Sequence, residues 1–524
     1  MAAVRLSTSL RRAGLVLVLG FSGCTLLVNR EGSQCSSDDQ CKRFSASAVC
    51  VAGGCQLPDA GDGDGGAEGG MGPPGCFSGV PSTDVEFYNR CTTSQYQAFD
   101  NCARAGLCAG TTYDPQALMA PPPVTVTATT PTPVTPPTVG CFDAASRPHV
   151  VFIQGSTNFT AFIQAMAPVV LQRGYTIVWQ PTSSCVGAGA GGFDSATGKD
   201  EMKNPTTTAQ SFASFYDAQG NATPCALGNS PGTPYPGVGE VTDIGESDVF
   251  AASCSGNINW VPGSTDFPTV GHYLGPIQPM VFATPPASTQ RAISAEMAHM
   301  VFGMGSNNGV STPWIDPNFM WIRSPTTGTN NIISRGIDVP PTQWWGVDKK
   351  SAPAMHDALL TVSASDAEKT IGTLSSDAAR DGIHTLYFQA KGQLAGFLPD
   401  SSAAAHDKQN VRDGHYAFWG PIHLYTRVSG GQPSTAAAAF ILPFSTPNQA
   451  LLDASIAGGT VPLCAMSVAR DTEMGPLRRF DPDFLCGCYY ESKVRGGTNC
   501  KPCSGPADCP SATPACNFGF CEVR

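Results

Sequence analysis

The chain has 524 residues, which is more than one hydrophobic core usually serves, so two or more folded units are expected. Its formal net charge is -11, with 30 Lys and Arg against 41 Asp and Glu, and it has no run of basic residues. This balance excludes nucleic acid as an expected partner, because nucleic-acid-binding proteins present clustered positive charge. A small-anion site remains compatible with it, because backbone amides and hydroxyl groups bind anions locally.

The N-terminus has the organisation of a bacterial export signal. Three arginines within residues 5–12 precede the apolar run 15–21, which is too short to span a membrane. Ser22-Gly23-Cys24 then resembles a lipobox, so residues 1–23 are predicted to be a lipoprotein signal peptide and Cys24 the lipidated first residue. Thr25 follows in place of an aspartate, which favours an outer-membrane anchor facing the periplasm or the cell surface. A plain secretory signal, with Cys24 removed or paired, is the alternative.

The cysteine content agrees with export. The chain has 21 cysteines, and setting aside Cys24 leaves an even number that allows complete pairing in an oxidising compartment. The spacing of four cysteines near the start recurs near the end: Cys35-x5-Cys41-x8-Cys50-x4-Cys55 and Cys503-x5-Cys509-x6-Cys516-x4-Cys521. We predict two copies of one small disulfide module. Zinc at Cys500-x2-Cys503 is the alternative, but no histidine lies nearby.

The remaining boundaries follow from composition. Residues 24–75 combine the first Cys-rich module with a Gly- and Asp-rich linker, and residues 76–114 hold a second small Cys-rich segment. Residues 115–146 form a Pro- and Thr-rich spacer, which is predicted to be extended. Residues 147–465 are predicted to be the folded body, and residues 466–524 the C-terminal disulfide-rich module.

The folded body begins with an α/β pattern. Residues 149–153 and 176–179 are predicted to be buried strands, and apolar residues at helical spacing (Phe162, Met166, Val169) lie between them. A strand–helix–strand unit of this length predicts a parallel sheet with a right-handed crossover. A later helix is predicted to be capped by Ser288 or Thr289 and to run through Val301.

Four polar stretches follow predicted strands or precede predicted helices. They are residues 155–159 (GSTNF), 182–187 (TSSCVG), 243–248 (DIGESD) and 323–329 (RSPTTGT). Ligands of α/β proteins lie at the carboxyl ends of strands, where helix N-termini, hydroxyl groups and a planar arginine can hold an anion. Each stretch alone is also compatible with an ordinary turn.

Taken together and in this order, the four stretches resemble those of the periplasmic phosphate-binding proteins, the type II solute receptors of phosphate ABC transporters. The resemblance covers about residues 150–428. It implies a bilobal α/β fold of the type II periplasmic-binding-protein class, flanked here by small disulfide-rich modules. One lobe would span about 147–283 and resume near 416, and the other about 284–415. The ligand contacts implied at matching positions are Thr157, Asn158, Phe159, Ser184, Asp248, Arg323, Thr327, Gly328 and Thr329.

The implied chemistry pairs one acceptor with many donors. Asp248 would accept the proton of a protonated oxyanion, and Arg323 would neutralise and orient the anion. Where the family has a second carboxylate, two residues after the arginine, this chain has Pro325. Oxyanions other than phosphate therefore also fit the pattern. A structural salt bridge between Asp248 and Arg323 is the alternative interpretation.

The resemblance implies non-covalent binding of phosphate or a similar oxyanion, without catalysis, cofactor or metal, and delivery to an ABC permease. The main alternative is a surface structural or interaction lipoprotein that reuses the fold, because a permease lies in the inner membrane. A third alternative is an enzyme such as a phosphatase. Its strongest candidate residues are Asp413, His415 and His423, but their aromatic, Gly-Pro context predicts a strand that returns to the first lobe.

Overall fold

The computed structural model describes residues 49–51, 54–56, 72–108, 114, 116–122, 137, 139–182, 212–227, 242–254, 270–305, 311–445 and 447–523. The chain divides into two compact units, Met1–Gly66 and Ala67–Arg524. The predicted signal peptide, Cys24, Ser184 and most of the first Cys-rich module lie outside the described residues. None of the helices in the described part of the chain combines the length and apolar character that a bilayer crossing requires.

The strands and helices are numbered in chain order. The strands are β1 Val49–Val51, β2 Gly54–Gln56, β3 Tyr96–Gln97, β4 Val150–Gly155, β5 Thr176–Pro181, β6 Phe212–Tyr216, β7 Ala222–Ala226, β8 Ile244–Ser247, β9 Val270–Thr284, β10 Ala292–Ser294, β11 Met320–Ile322, β12 Val347–Asp348, β13 Ile371–Ser375, β14 His384–Thr385, β15 Tyr387–Gln389, β16 Gly396–Phe397, β17 Trp419–Ser429, β18 Gln432–Pro433, β19 Val468–Ala469, β20 Arg478–Arg479, β21 Ala515–Asn517 and β22 Phe520–Glu522. The helices are α1 Asp84–Tyr88, α2 Asn101–Ala105, α3 Thr160–Leu171, α4 Ala295–Met304, α5 Gly328–Ile337, α6 Ala352–Leu360, α7 Gln409–Asp413, α8 Thr435–Ser445, α9 Gln449–Ala457 and α10 Gly487–Val494.

Two long antiparallel strands connect the halves of the main sheet. In the described part of the chain this sheet has the order β12-β11-β13-β9-β17-β8-β4-β5-β6-β7. Strands β9 and β17 pair from Val270 with Arg427 to Pro279 with Trp419. The second half of β9 pairs antiparallel with β13, whereas β17 also pairs with β8. The resulting bilobal α/β architecture confirms the predicted fold class.

The predicted strand–helix–strand unit is confirmed. Strand β4 pairs in parallel with β5 and with β8, and α3 connects β4 to β5. The apolar face of α3 lies in the first-lobe core, where Phe159, Phe162 and Trp179 are almost fully buried. The second lobe has its own core, which includes Phe282, Phe302 and Trp344. Each half of the sheet therefore packs against separate apolar side chains.

The predicted N-cap of the second-lobe helix was wrong. Helix α4 begins at Ala295, and the Ser294 side chain accepts the Met297 N–H at 3.0 Å. Residues 292–294 form β10, which pairs in parallel with β15. The strand precedes the helix because these residues gain a hydrogen-bonded partner strand that is distant in the sequence.

Disulfides hold the segments that flank the body. The described pairs are Cys76–Cys91, Cys102–Cys108, Cys141–Cys225, Cys464–Cys486, Cys488–Cys500, Cys503–Cys516 and Cys509–Cys521. Cys500 and Cys503 are bonded to other cysteines, so their thiolates are unavailable for the alternative zinc site. The hairpins β1–β2 and β21–β22 have matching registers, with Cys50 opposite Cys55 and Cys516 opposite Cys521.

The segments before and after the body pack against it. Strand β3 extends a small sheet through β16, and the Trp345 indole donates to the Met119 carbonyl at 2.9 Å. On the C-terminal side, Arg470 Nη1 donates to the carbonyls of Ala417 and Trp419 at 2.8 and 3.0 Å. Helix α9 contributes Leu451 to the first-lobe core and Leu452 to the second-lobe core. The C-terminal chain therefore contacts both lobes.

Candidate anion site

The candidate site forms where strands of both lobes end. Asn158 lies in a 3-10 turn (Thr157–Phe159) directly after β4, and Asp248 directly follows β8. From the second lobe, Arg323 directly follows β11, and Thr327 is the N-cap of α5. Because these strands carry their polar residues at their carboxyl ends, the two lobes present them to one another.

Asp248 and Asn158 are hydrogen-bonded to one another, and Asn158 also contacts the second lobe. The Ser156 hydroxyl donates to Asp248 Oδ2 at 2.8 Å, and Asn158 Nδ2 donates to the same oxygen at 3.0 Å. Asn158 Nδ2 also lies 3.2 Å from Thr329 Oγ1, across the gap between the lobes. Asn158, Asp248 and Thr329 are at most 3% exposed. The structure thus brings these three predicted residues into one buried cluster.

The start of helix α5 faces the Asp248 carboxylate. The Thr327 side chain accepts the Asn330 N–H, and the next residue, Gly328, lies against Asp248. The first backbone amides of a helix lack intrahelical partners and carry a partial positive charge. Helix α5 therefore directs its positive end towards this cluster, as an oxyanion site requires.

Arg323 is a buried cation with unsatisfied donors. It is 2% exposed, and Asn330 Nδ2 fixes its backbone by donating to the Arg323 carbonyl at 2.6 Å. Its Nη2 lies 3.5 Å from the Lys350 carbonyl, whereas Nε and Nη1 have no hydrogen-bond partner among the described residues. Burial lowers the pKa of Arg323, and the charges of Asp248 and Asp348 partly oppose this shift. The Arg323 guanidinium therefore makes no hydrogen-bonded salt bridge with Asp248 among the described residues, and such a bridge does not explain why this charge is buried.

The loop after Arg323 contacts a carboxylate of the neighbouring strand β12. Pro325 is exposed, so its ring does not point into the buried cluster. Asp348 on β12 accepts from the Ser324 hydroxyl at 2.7 Å and pairs with Lys350 Nζ at 2.8 Å. Its charge acts on Arg323 without occupying the Nε and Nη1 donors.

The remaining predicted residues differ in what they contact. Thr157 Oγ1 is buried and has no partner among the described residues. The Phe159 N–H donates to the Ser156 carbonyl at 3.0 Å, and its ring stacks on Phe162 in the first-lobe core. Thr327 Oγ1 donates to the Ser324 carbonyl at 2.9 Å, which stabilises the start of α5. The contacts of Phe159 and Thr327 are structural. A ligand contact at Thr157, Phe159 or Thr327 stays a prediction.

Two acidic residues near the site were not among the predicted residues. Glu246 is fully buried, and its Oε2 accepts the Ser156 N–H at 2.5 Å. Burial, and then the Asp248 charge, raise the pKa of Glu246 well above its usual range. Because side chains alternate along a strand, Glu246 lies on the same face as Asp248, and this period-two pattern could have identified it.

The second missed carboxylate, Glu473, comes from the C-terminal segment. Its Oε2 accepts the Phe250 N–H at 3.1 Å, two residues beyond Asp248. Burial raises the pKa of Glu473 to about 7. No local pattern marks it, because the contact depends on how the C-terminal chain packs.

The two histidines considered as candidates for catalysis, His415 and His423, contact groups outside the anion site. His415 Nε2 lies 2.8 Å from the Arg90 carbonyl, and His423 Nδ1 lies 2.8 Å from His272 Nε2. His423 belongs to β17, the long strand that returns to the first lobe, as its sequence context predicted. Among the described residues, the metal-compatible cluster is Cys503, Cys509 and Cys521, which are in disulfides.

The similarity of this chain to known proteins lies in its structure and not in its sequence. No protein-family model matches the chain, and no curated protein matches it in sequence. Solved structures of phosphate-binding proteins are similar at low identity. A protein from Clostridium perfringens, assigned as a phosphate ABC transporter substrate-binding protein and solved with phosphate, is 11% identical, with a TM-score of 0.40 over 60% of this chain and 99% of that one. An ABC-type phosphate transport receptor from Vibrio cholerae is 10% identical, with a TM-score of 0.37 and the same coverages. A high-affinity periplasmic phosphate-binding protein is 14% identical, with a TM-score of 0.39 over 60% and 90% of the two chains.

Proposed function

We propose that this protein binds phosphate or a similar oxyanion non-covalently between its two lobes. The observation that carries the proposal is the Arg323 guanidinium, which is buried beside Asp248 with two nitrogens unpaired among the described residues. A buried polar group without a partner costs about 1–3 kcal/mol, and more when it is charged. A bound oxyanion would remove this cost.

The surrounding groups suit an oxyanion that still carries a proton. Arg323, the Thr157 hydroxyl and the first amides of α5 are donors. Asp248 is an acceptor, and Glu246, whose pKa is raised, can hold a proton beside it. Phosphate at neutral pH can donate its remaining proton to a carboxylate, but sulfate cannot. The buried carboxylates therefore support a preference for phosphate over sulfate.

The cellular context of the proposal comes from the sequence. The export signal and lipobox support a lipoprotein anchored through Cys24 in the periplasm or at the surface, with the outer membrane favoured. Delivery of the anion to an ABC permease is part of the proposal. Replacing Cys24 with Ser in cells should release the protein from the membrane fraction, and retention there would contradict the lipid anchor.

Calorimetric titration of the purified, phosphate-free protein tests the binding. We expect a dissociation constant on the order of micromolar for phosphate, and weaker binding of sulfate. Arg323→Ala should abolish binding, whereas Arg478→Ala, at an exposed arginine that pairs with Asp471, should leave it intact. Circular dichroism of each variant separates lost binding from lost folding. No heat from either anion in the folded protein would contradict the proposal.

A surface structural or interaction lipoprotein is the second candidate. The packing of the C-terminal segment favours it, because α9 contributes to both lobe cores and Glu473 bonds to Phe250 of the first lobe. Such contacts resist the opening that a transport receptor needs. This candidate predicts no anion affinity, so the same titration distinguishes the two functions.

A further inference from the structure

A large cavity lies beside the candidate anion site. Its volume is about 890 Å³, and both lobes contribute to its walls. Its lining includes Ala161 on α3, Gly458 after α9, and Ser376, Asp377 and His384 of the second lobe. Small organic ligands occupy pockets of about 300–1,000 Å³. An inorganic phosphate ion would fill only a small part of this space.

One side chain, Gln278, connects a residue of the anion site with a residue of the cavity wall. Gln278 lies on the long strand β9 and is 2% exposed. Its Nε2 donates to the Asn158 carbonyl at 3.0 Å and lies 3.4 Å from Asp377 Oδ1. Asn158 belongs to the anion cluster, and Asp377 lines the cavity. A ligand that extends from the anion site past Gln278 into the cavity would contact both Asn158 and Asp377.

The boundary between the two spaces has unsatisfied acceptors. Gln278 Oε1, Asn158 Oδ1 and the Ser376 hydroxyl are buried and have no hydrogen-bond partner among the described residues. The Asp377 carboxylate lies beside them, and burial raises its pKa. Gln278 Oε1 and Asn158 Oδ1 need donors, and the Ser376 hydroxyl can accept or donate, whereas the unpaired Arg323 nitrogens and the Thr157 hydroxyl can donate to an anion.

Two ion pairs lie in the cavity wall. Lys408 Nζ lies 3.0 and 3.1 Å from the two oxygens of Asp400, and Arg380 Nε lies 3.4 Å from Asp381 Oδ2. A second ionic group on the ligand would have to compete with these pairs. Uncharged hydroxyl groups fit the cavity better, because they can donate to the Asp377 carboxylate and to the unsatisfied acceptors at the boundary.

We propose that the ligand is a phosphate monoester of a polyhydroxylated compound. Its phosphoryl group would bind at Arg323, and its hydroxyl groups would donate to Gln278 beside the cavity and to Asp377 in the cavity wall. This inference rests on the proposed function, because it places the phosphoryl group in the same anion site. It extends that function by naming the class of molecule attached to the anion.

Titration with four probes tests the inference on the full mature chain. The probes are inorganic phosphate, glycerol 3-phosphate, glucose 6-phosphate and glucose. We expect at least one ester to bind at least ten-fold more tightly than inorganic phosphate, and glucose alone not to bind. Phosphate binding without tighter binding of either ester would overturn the inference and leave the proposed function standing. Failure of phosphate and both esters to bind would remove the proposed function as well.

Two variants locate the hydroxyl contacts. Gln278→Leu and Asp377→Asn should each reduce the ester-to-phosphate affinity ratio by about ten-fold. Arg478→Ala, on the exposed surface, serves as the control and should keep the wild-type ratio. An unchanged ratio in both folded variants would contradict the assignment of the cavity. Measuring a ratio keeps the test informative where a variant is less stable, because both ligands report on the same folded fraction.

Discussion

Gly328 lies so close to Asp248 that a Cβ on the glycine would come within 2.1 Å of the Asp248 Cβ. The two residues belong to different lobes, since Asp248 follows β8 and Gly328 begins α5. Their contact brings the positive end of the helix against a buried carboxylate and fixes the distance between the lobes at the site. A residue with any side chain at position 328 would force them apart.

Gly328→Ala should therefore weaken both folding and binding. Overpacking of this kind costs about 1–3 kcal/mol of unfolding free energy. We also expect phosphate affinity to fall at least ten-fold, because α5 moves away from Asp248. Chemical unfolding and calorimetry measure the two effects. The matched control is Gly497→Ala, where an added Cβ meets nothing within 4 Å. Equal behaviour of the two variants would contradict the close contact.

Thr157→Val separates ligand binding from stability. Valine has nearly the shape of threonine, and the Thr157 hydroxyl is buried without a partner among the described residues. Removing it should leave the unfolding free energy unchanged or raise it by about 1 kcal/mol. Phosphate affinity should fall about ten-fold if the hydroxyl donates to the anion. Wild-type affinity in this variant would remove Thr157 from the site.

Glu473 should make stability depend on pH. The pKa of Glu473 is raised from 4.5 to about 7, mainly by burial and to a smaller extent by the Asp248 charge. The hydrogen bond from the Phe250 N–H and the charges of Arg335 and Arg470 oppose this shift. Between these two values the folded protein binds more protons at this residue than the unfolded chain does. Stability therefore falls as pH rises from about 4.5 to about 7, by on the order of 3 kcal/mol.

Glu473→Gln tests this dependence, because the amide oxygen can still accept the Phe250 N–H but cannot titrate. Urea unfolding of both proteins from pH 4.5 to pH 8 gives the difference in free energy at each pH. The variant should gain stability relative to the wild type as pH rises through this window. Glu246 is present in both proteins, so its own raised pKa cancels in the comparison. A difference that does not change with pH would contradict the buried, protonated state of Glu473.

The Cys464–Cys486 disulfide should contribute more to stability than Cys102–Cys108. The cysteines are 22 residues apart in the first pair and 6 in the second, and a longer loop loses more entropy in the unfolded chain. Double Cys→Ser replacement should cost about 3 kcal/mol at the first pair and about 2 kcal/mol at the second. Guanidinium unfolding of each variant measures these losses. Equal losses, or a larger loss at Cys102–Cys108, would contradict this ranking.

The sequence alone determined the local parts of this protein. Apolar periodicity identified β4, α3 and β5, because the spacing of side chains along a strand or helix is a local property. The polar stretches 155–159, 243–248 and 323–329 are local features of the sequence, and their resemblance to those of phosphate-binding proteins indicated Asn158, Asp248 and Arg323. Such residues converge at strand ends in an α/β sheet. The number and spacing of cysteines likewise indicated disulfides, which the described C-terminal segment contains.

Only the tertiary structure decided the contacts between distant segments. Residues 292–294 became a strand because β15 lies beside them, although their sequence fits a helix. Glu473 reaches Phe250 across 223 positions of the chain, and Gln278 reaches Asp377 across 99. Such contacts leave no periodic pattern in the sequence, because they depend on how complete elements pack. The acceptors beside the cavity and the buried state of Arg323 emerge from the same packing.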